Sequence, residues 1–323
     1  MMLIGGDWMG GGYKPGWVTC YANGGFAASF DDGVSWEEHA ATALTGCYDA
    51  AYGLGTYVFV GQVGSAAHVA TAGDLNGGMT LNTTPPWGAG VVGGALHVTR
   101  LGLFVICGTT GTGVGRVPRV STSPDGLTWT PRTLPYTSWG AVGPQGYNVI
   151  CDDGTTIVMC GLTADGIVVW KSTDAVTWTE VVLGGAGEPT GIASNGSVWL
   201  LRRSGASRMS RSTDLTTWAD EPPAPETGSP QAPMDAGNGL FAAAMDVGGL
   251  MYIYTSPTGL AGSWTQRTQL VTGYDLRYSA TRSLWMSIEY GGTRKVYTAA
   301  STAAAWTNVG TVGGAYAYKI RYL

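Results

Sequence analysis

The chain of 323 residues contains little charge. Asp, Glu, Lys and Arg make up 12% of it, about half of the roughly 25% found in ordinary soluble proteins. The net charge of −5 argues against nucleic acid as a partner, because phosphate binding requires a basic patch. No apolar run approaches the roughly 20 residues of a membrane span, and the N-terminus lacks the features of a secretory signal. We therefore expect neither membrane insertion nor secretion.

Cysteine and histidine are also scarce. Cys107 and Cys160 fall at equivalent positions of two strands, where another strand has Val60, which predicts small core residues rather than metal ligands. The histidines are scattered along the chain, so a Ser-His-Asp or Cys-His site has no local support. The sequence therefore predicts no metal and no cofactor.

The most informative feature present is a short hairpin signature that occurs seven times. Clean copies contain Ser or Thr, then Asp, a turn residue such as Gly, and Trp, as in Ser29–Trp36. No long stretch of helical periodicity lies between the copies, and repeats of 40 to 50 residues built from short strands are typical of β-propeller blades. We call these segments the box hairpins, and they lie near residues 29–36, 71–81, 122–129, 171–178, 211–218, 255–264 and 298–306.

The residues of a box hairpin predict a structural role. A Ser or Thr hydroxyl and an Asp carboxylate can accept hydrogen bonds from turn amides, and Gly33 and Gly126 permit a positive φ. The tryptophan can then pack beneath the turn. The signature resembles the Asp-box of sialidases and other propeller proteins. That resemblance implies a propeller whose box hairpins lie on the face away from any active site.

The repeats predict an all-β protein that forms one domain over residues 1–323. We expect a seven-bladed β-propeller whose blades are four-stranded antiparallel sheets. The C-terminal segment Ala317–Tyr322 matches Tyr274–Tyr278, the predicted inner strand of the preceding blade, and Met1–Gly5 matches the strand that follows. The C-terminal strand should therefore join the N-terminal blade, which closes the ring and removes an exposed sheet edge.

Aromatic residues are concentrated in loops of the first half of the chain, on the predicted face opposite the box hairpins. Exposed aromatic side chains beside polar groups are suited to contact a sugar ring or a protein partner. The alternative is that these side chains fill gaps between blades. This candidate upper-face patch consists of Trp8, Tyr13, Trp87, Arg116, Tyr136 and Trp139.

A second candidate site lies on the predicted inner strands that surround the central channel. Adjacent inner strands should bring its opposite charges close together. The cluster is either an interblade network of ion pairs or the mouth of an anion-binding site. Its residues are Asp49, Asp275, Arg277, Lys319 and Arg321.

The resemblance to sialidases makes a glycoside hydrolase one alternative. Sialidases use an arginine triad, a tyrosine nucleophile with a glutamate beside it, and an aspartate that acts as the acid. The Arg-Ile-Pro motif that occurs early in sialidase sequences is absent from this sequence. The similar Arg116-Val117-Pro118 occurs in the third repeat instead. Other glycosidases need two facing carboxylates, and Asp49 and Asp275 are the candidate pair near the channel.

The whole chain also resembles, in composition and compactness, the propellers of bacteriophage virions. That resemblance implies a non-enzymatic structural or adhesion protein of a tail, fibre, nozzle or decoration, located in the virion, with other virion subunits or a host surface glycan as partners. A sialidase-like or other hydrolase of surface polysaccharide is the first alternative. The second alternative is an assembly factor similar to those of photosystem II, for which Arg277 and Arg321 would form the arginine patch. For the location, the alternative to the virion is the cytoplasm.

Overall fold

In a computed structural model of the protein, the described residues are almost entirely β-strand. They form 28 strands, and the helix among them is a single 3-10 turn over Thr99–Leu101. The strands make seven four-stranded sheets, all with antiparallel pairing, so the predicted seven-bladed β-propeller is confirmed. The described residues are 16–40, 44–75, 79–82, 86–111, 116–135, 149–163, 165–185, 187–204, 209–221, 234–270, 275–289, 294–303, 305–313 and 317–323.

The first four blades use the strands of the N-terminal half. Blade 1 contains β1 (Trp17–Tyr21), β2 (Phe26–Ser29) and β3 (Glu37–His39). Blade 2 contains β4 (Gly46–Gly53), β5 (Thr56–Val63), β6 (Ala66–Ala72) and β7 (Thr80–Leu81). Blade 3 contains β8 (Gly90–Val98), β9 (Leu103–Thr110), β10 (Val117–Ser123) and β11 (Thr130–Arg132). Blade 4 contains β12 (Ile150–Asp152), β13 (Ile157–Thr163), β14 (Gly166–Ser172) and β15 (Thr179–Gly184).

The remaining blades follow in the same order. Blade 5 contains β16 (Pro189–Ser194), β17 (Trp199–Arg203), β18 (Met209–Ser212) and β19 (Ala219–Glu221). Blade 6 contains β20 (Met234–Gly237), β21 (Leu240–Val247), β22 (Leu250–Ser256) and β23 (Thr265–Leu270). Blade 7 contains β24 (Asp275–Ser279), β25 (Leu284–Ile288), β26 (Arg294–Ala300) and β27 (Thr307–Val312). The last strand, β28 (Ala317–Tyr322), belongs to blade 1.

The ring closes through β28, which pairs antiparallel with β1 as the inner strand of blade 1. Beyond the two strands, Gly16 and Leu323 exchange backbone hydrogen bonds of 3.1 and 2.9 Å. The predicted closure is therefore confirmed. The strand beside β28 is Trp17–Tyr21, however, and not Met1–Gly5, which lies outside the described residues.

The core lies between blades rather than inside any one sheet. Middle strands such as β5 and β13 have almost continuous buried runs, because neighbouring blades cover both of their faces. The short outer strands β3 and β11 are mostly exposed. Cys107 and Cys160 are fully buried among aliphatic side chains, as the sequence predicts.

The box hairpins connect the third and fourth strands of each blade, so they share one end of the ring. In blade 4, Ser172 Oγ accepts a hydrogen bond from Ala175 N, and Asp174 Oδ1 accepts from Val176 N and Thr177 N at 2.8 and 2.7 Å. Trp178 Nε1 donates to Ala175 O. Backbone N–H donation by Thr177 and Val176 lowers the pKa of Asp174 to about 2. These side chains are occupied in holding the turn, which supports a structural role.

The turn residue of a box hairpin also approaches the preceding blade. Gly126 has a φ of +76°, and a Cβ atom there would lie 2.8 Å from Val58 Cγ2 of blade 2. Gly33 is similar, because its Cβ would lie 2.8 Å from Met286 Cε of blade 7. Glycine at these positions therefore permits both the turn and the close packing of neighbouring blades.

Candidate functional site

The inner strands of three consecutive blades bring the five predicted channel charges together. Asp275 and Arg277 lie on β24, Lys319 and Arg321 on β28, and Asp49 on β4. Each pair on one strand is spaced by two residues, so both side chains leave the same face of that strand. Four of the five side chains are almost completely buried, and Arg321 is 16% exposed. We call these five residues the channel cluster.

Asp49 is the acceptor at the centre of this cluster. Its carboxylate accepts hydrogen bonds from Lys319 Nζ at 3.0 Å, from Arg321 Nε and Nη2 at 2.8 Å, and from Ala95 N of blade 3 at 3.1 Å. Lys319 Nζ also donates to Gly93 O at 2.7 Å. Burial raises the pKa of Asp49, but the charges of Arg321 and Lys319 outweigh it and hold that pKa well below its usual value. This half of the cluster is a network of ion pairs that joins blades 1, 2 and 3.

The other half of the cluster, on β24, is paired less completely. Asp275 accepts backbone hydrogen bonds from Ile320 N at 2.7 Å and Leu276 N at 2.9 Å. Arg277 Nε lies 3.4 Å from Asp275 Oδ2 and donates to Ile320 O at 3.2 Å. Burial raises the pKa of Asp275 above its usual value, although the charge of Arg277 opposes that shift. Blade 7 is thus bonded to blade 1 through both side chains.

Two donor atoms of Arg277 have no acceptor in the part of the chain that the structure describes. Its Nη1 and Nη2 atoms are buried and have no hydrogen-bond partner among the described residues. Both atoms lie on the same planar guanidinium, which can donate two parallel hydrogen bonds to a carboxylate or phosphate. Of the two interpretations of the channel charges, the ion-pair network thus describes Asp49, and anion binding stays a prediction.

Sequence reasoning missed Asp235, which acts in the same way as two members of the cluster. Its carboxylate accepts a hydrogen bond from Tyr278 N of the next inner strand at 2.8 Å. Asp49 and Asp275 accept in the same way from the inner strand of the blade that follows each of them. The signal in the sequence was an Asp just before an alanine-rich strand, which is easily taken for a loop residue.

The upper-face patch is represented by two of its members, because Trp8, Tyr13, Tyr136 and Trp139 lie outside the described residues. Trp87 is 9% exposed and packs with Val92 and Phe104 in the core between blades 2 and 3. For this residue the gap-filling alternative describes its environment. Arg116 is half-buried. The patch as a whole stays a prediction.

Two shallow clefts lie on the face of the box hairpins, at equivalent positions between neighbouring blades. They have volumes of about 390 and 340 Å³, and threonine is the most frequent residue in both linings. Among the described residues, no group of His, Cys, Asp and Glu is arranged to hold a metal ion. In the same part of the chain, no helix has the length and apolar character needed to cross a membrane.

Comparison with known proteins finds similarity in structure but not in sequence. No protein-family model and no curated protein matches the chain. A putative 6-phosphogluconolactonase from Bacteroides uniformis superposes with a TM-score of 0.69 at 14% identity, over 96% of this chain and all of that one. A second, from Bacteroides fragilis, gives 0.67 at 10% identity, over 96% of this chain and 98% of that one. A streptogramin B lyase gives 0.61 at 15% identity, over 93% and 89%.

The expectation of a virion protein is contradicted by these comparisons. The three neighbours named above are two putative lactonases and a lyase, and none of the three is a virion component. The expectation had no motif to support it, because low charge and many small residues occur in propellers of many functions. At 10 to 15% identity, the similarity itself shows the β-propeller fold alone.

Proposed function

We propose that this propeller binds a small molecule in its central channel, through a carboxylate or phosphate group that Arg277 holds. The observation that carries the proposal is the buried guanidinium with two unused donor atoms. Arg277 is only 2% exposed, so bulk water does not replace the missing partners. An anion with two oxygen atoms would pair with both.

The energetics of burial support this assignment. A buried donor without a partner costs about 1–3 kcal/mol, and more when the group is charged. The ion pair with Asp275 offsets this only in part, because it involves Nε at 3.4 Å and leaves both Nη atoms unused. A bidentate anion would restore the hydrogen bonds in a region of low dielectric, where charge-assisted bonds are strongest.

The structural neighbours are consistent with a small ligand of this class. Two of them are named as putative 6-phosphogluconolactonases, and the substrate in that name is a phosphorylated lactone. Turnover of the bound ligand is a second candidate function, which the position of Asp275 favours. Its carboxyl group lies beside Arg277, and burial raises its pKa above the usual value, as is common for a carboxyl group that acts as a general acid.

Titration calorimetry with inorganic phosphate and with acetate tests the proposal. We expect the wild type to bind at least one of these anions, and Arg277→Gln to lose at least tenfold in affinity, since a charged hydrogen-bond donor is removed. Arg282→Gln is the matched control, because Arg282 is a half-exposed arginine paired with Asp32 of a box hairpin. Wild-type affinity in Arg277→Gln would overturn the proposal. Circular dichroism should show that both variants are folded.

We also infer that the box hairpins are related to Asp-boxes and that the chain is one domain. The hydrogen bonds support the first point, since the Ser hydroxyl accepts from the turn amide in the copies at Gly33, Gly126, Ala175, Leu215 and Gly259. The ring closure by β28 supports the second. Limited proteolysis should then give no stable fragment of one or a few blades.

A further inference from the structure

The strand β1 carries a row of unused polar atoms on the face that packs against blade 7. Trp17, Thr19 and Tyr21 occupy alternate positions, so they share one face of the strand. All three are at most 2% exposed. Among the described residues, Trp17 Nε1, Thr19 Oγ1 and Tyr21 OH have no hydrogen-bond partner. Three consecutive inward positions without partners are unusual, because buried polar atoms are nearly always paired.

Arg277 reaches the same boundary from the opposite side. Its Nε donates to Ile320 O, and Ile320 is the direct partner of Thr19 in the pairing of β28 with β1. Neighbouring strands lie about 4.8 Å apart, so Thr19 is one strand further from the channel than the atom that Arg277 contacts. Met286, the partner of Arg277 on β25, packs in one cluster with Trp17. We call the boundary between β1 and β28 on one side and β24 and β25 on the other the closing boundary.

We infer that the ligand of Arg277 carries a phosphate group, which lies across the closing boundary and also accepts a hydrogen bond from Thr19 Oγ1. This inference rests on the proposed function and adds the class of ligand to it. A carboxylate has two oxygen atoms, and a bidentate contact with the guanidinium uses both. A phosphate monoester has three terminal oxygens, so one remains for the hydroxyl of Thr19. The unused donors on both sides of the boundary therefore favour phosphate.

A ligand in this position would bind both of the blades that meet where the ring closes. Arg277 belongs to blade 7, whereas Thr19 belongs to the N-terminal strand of blade 1. A ligand that binds only the closed ring stabilises it in proportion to the logarithm of its concentration. Bound phosphate should therefore slow hydrogen exchange of the backbone amides in β1 and β28 more than that of amides in blade 4.

The test compares Thr19→Val with the wild type by titration calorimetry, using inorganic phosphate and acetate as probes. We expect Thr19→Val to lose about tenfold in affinity for phosphate and less than twofold for acetate, as for one hydrogen bond to a charged acceptor. Thr19→Ser should restore phosphate binding, because it keeps the hydroxyl. The variant should fold, since valine has the shape of threonine and the lost hydroxyl has no hydrogen-bond partner among the described residues. The control is Thr190→Val in blade 5, another hydroxyl without a partner among the described residues.

The outcomes separate this inference from the proposed function. If Arg277→Gln abolishes binding while Thr19→Val binds phosphate as the wild type does, the inference is wrong and the proposed function stands. An equal loss for phosphate and acetate in Thr19→Val would also overturn the assignment of phosphate. If the wild type binds neither anion, or if Arg277→Gln binds both normally, both proposals fail.

Discussion

Asp49 accepts hydrogen bonds from two cationic side chains and from two backbone amides, those of Ala50 and Ala95. Replacing it by asparagine leaves Lys319 and Arg321 buried without their counter-ion, and breaking a buried pair in this way typically costs about 3–5 kcal/mol. We therefore expect Asp49→Asn to lower the free energy of unfolding in urea by about that amount. Asp32→Asn is the control, since its pair with Arg282 is half-exposed and contributes at most about 1 kcal/mol.

The same variant should change the dependence of stability on pH. The pKa of Asp49 is lower in the folded state than its unfolded value of about 3.9, so its contribution is complete above roughly pH 4 and is lost as the pH falls towards the folded pKa. The pKa of Asp275 is raised, so its protonation relieves a cost on acidification and acts in the opposite direction. Urea unfolding between pH 7 and pH 3 should show a weaker loss of stability in Asp49→Asn. Equal acid dependence in both proteins would contradict the assigned role of Asp49.

The sequence could predict which charges meet, but not how they pair. Position within the repeat places Asp49 and Arg277 on inner strands, because equivalent residues of a repeat occupy equivalent places. Which donors remain unused depends on side-chain packing across blades, which no local pattern records. Thr19 could not be predicted at all, since a threonine in a strand is ordinary on propensity alone.

Among elements, the box hairpin shows how a turn and a packing contact depend on one residue. Gly126→Ala puts a side chain at a positive φ and also within 2.8 Å of Val58, whereas Gly154→Ala has a similar φ of +93° and nothing within 4 Å. We expect Gly154→Ala to cost about 1–2 kcal/mol from the backbone alone. Gly126→Ala should cost roughly 1–3 kcal/mol more, because the neighbouring blade is overpacked. Thermal unfolding of the two variants checks this. Equal losses of stability would show that the neighbouring blade moves to accommodate the added methyl group without cost.

The period of the box hairpins predicted the number of blades correctly, because each copy lies at the same place in its own sheet. The boundaries of the first strand were predicted wrongly. Met1–Gly5 and Trp17–Tyr21 are both short segments rich in apolar residues, and only the pairing with β28 distinguishes them. Trp87 was ambiguous for a related reason. A tryptophan beside two prolines can stand on a surface or fill a gap, and the position of the next blade decides which.

For the whole molecule, the decisive feature is that β28 completes blade 1. A chain that ends at residue 316 lacks this inner strand together with Lys319 and Arg321, and it leaves β1 with an unpaired edge. We expect this truncated protein to self-associate or precipitate, because an exposed edge strand can pair with another chain. Light scattering coupled to size-exclusion chromatography measures the molar mass of the truncated protein and therefore its self-association. A synthetic peptide of residues 317–323, added during refolding, should restore the monomer, and a truncated protein that is monomeric without the peptide would contradict the prediction.

The separation of β1 from β28 along the chain also affects biosynthesis. Ribosomes add about 5–20 residues per second, so the roughly 300 residues between these strands take about 15–60 s to make. During that time a nascent chain can form its middle blades, while blade 1 has only three of its four strands because β28 has not been made. Slower translation lengthens the period in which this sheet can pair with a neighbouring polypeptide. The yield of native protein should therefore depend on the speed of translation and on chaperones that cover the unpaired edge of β1.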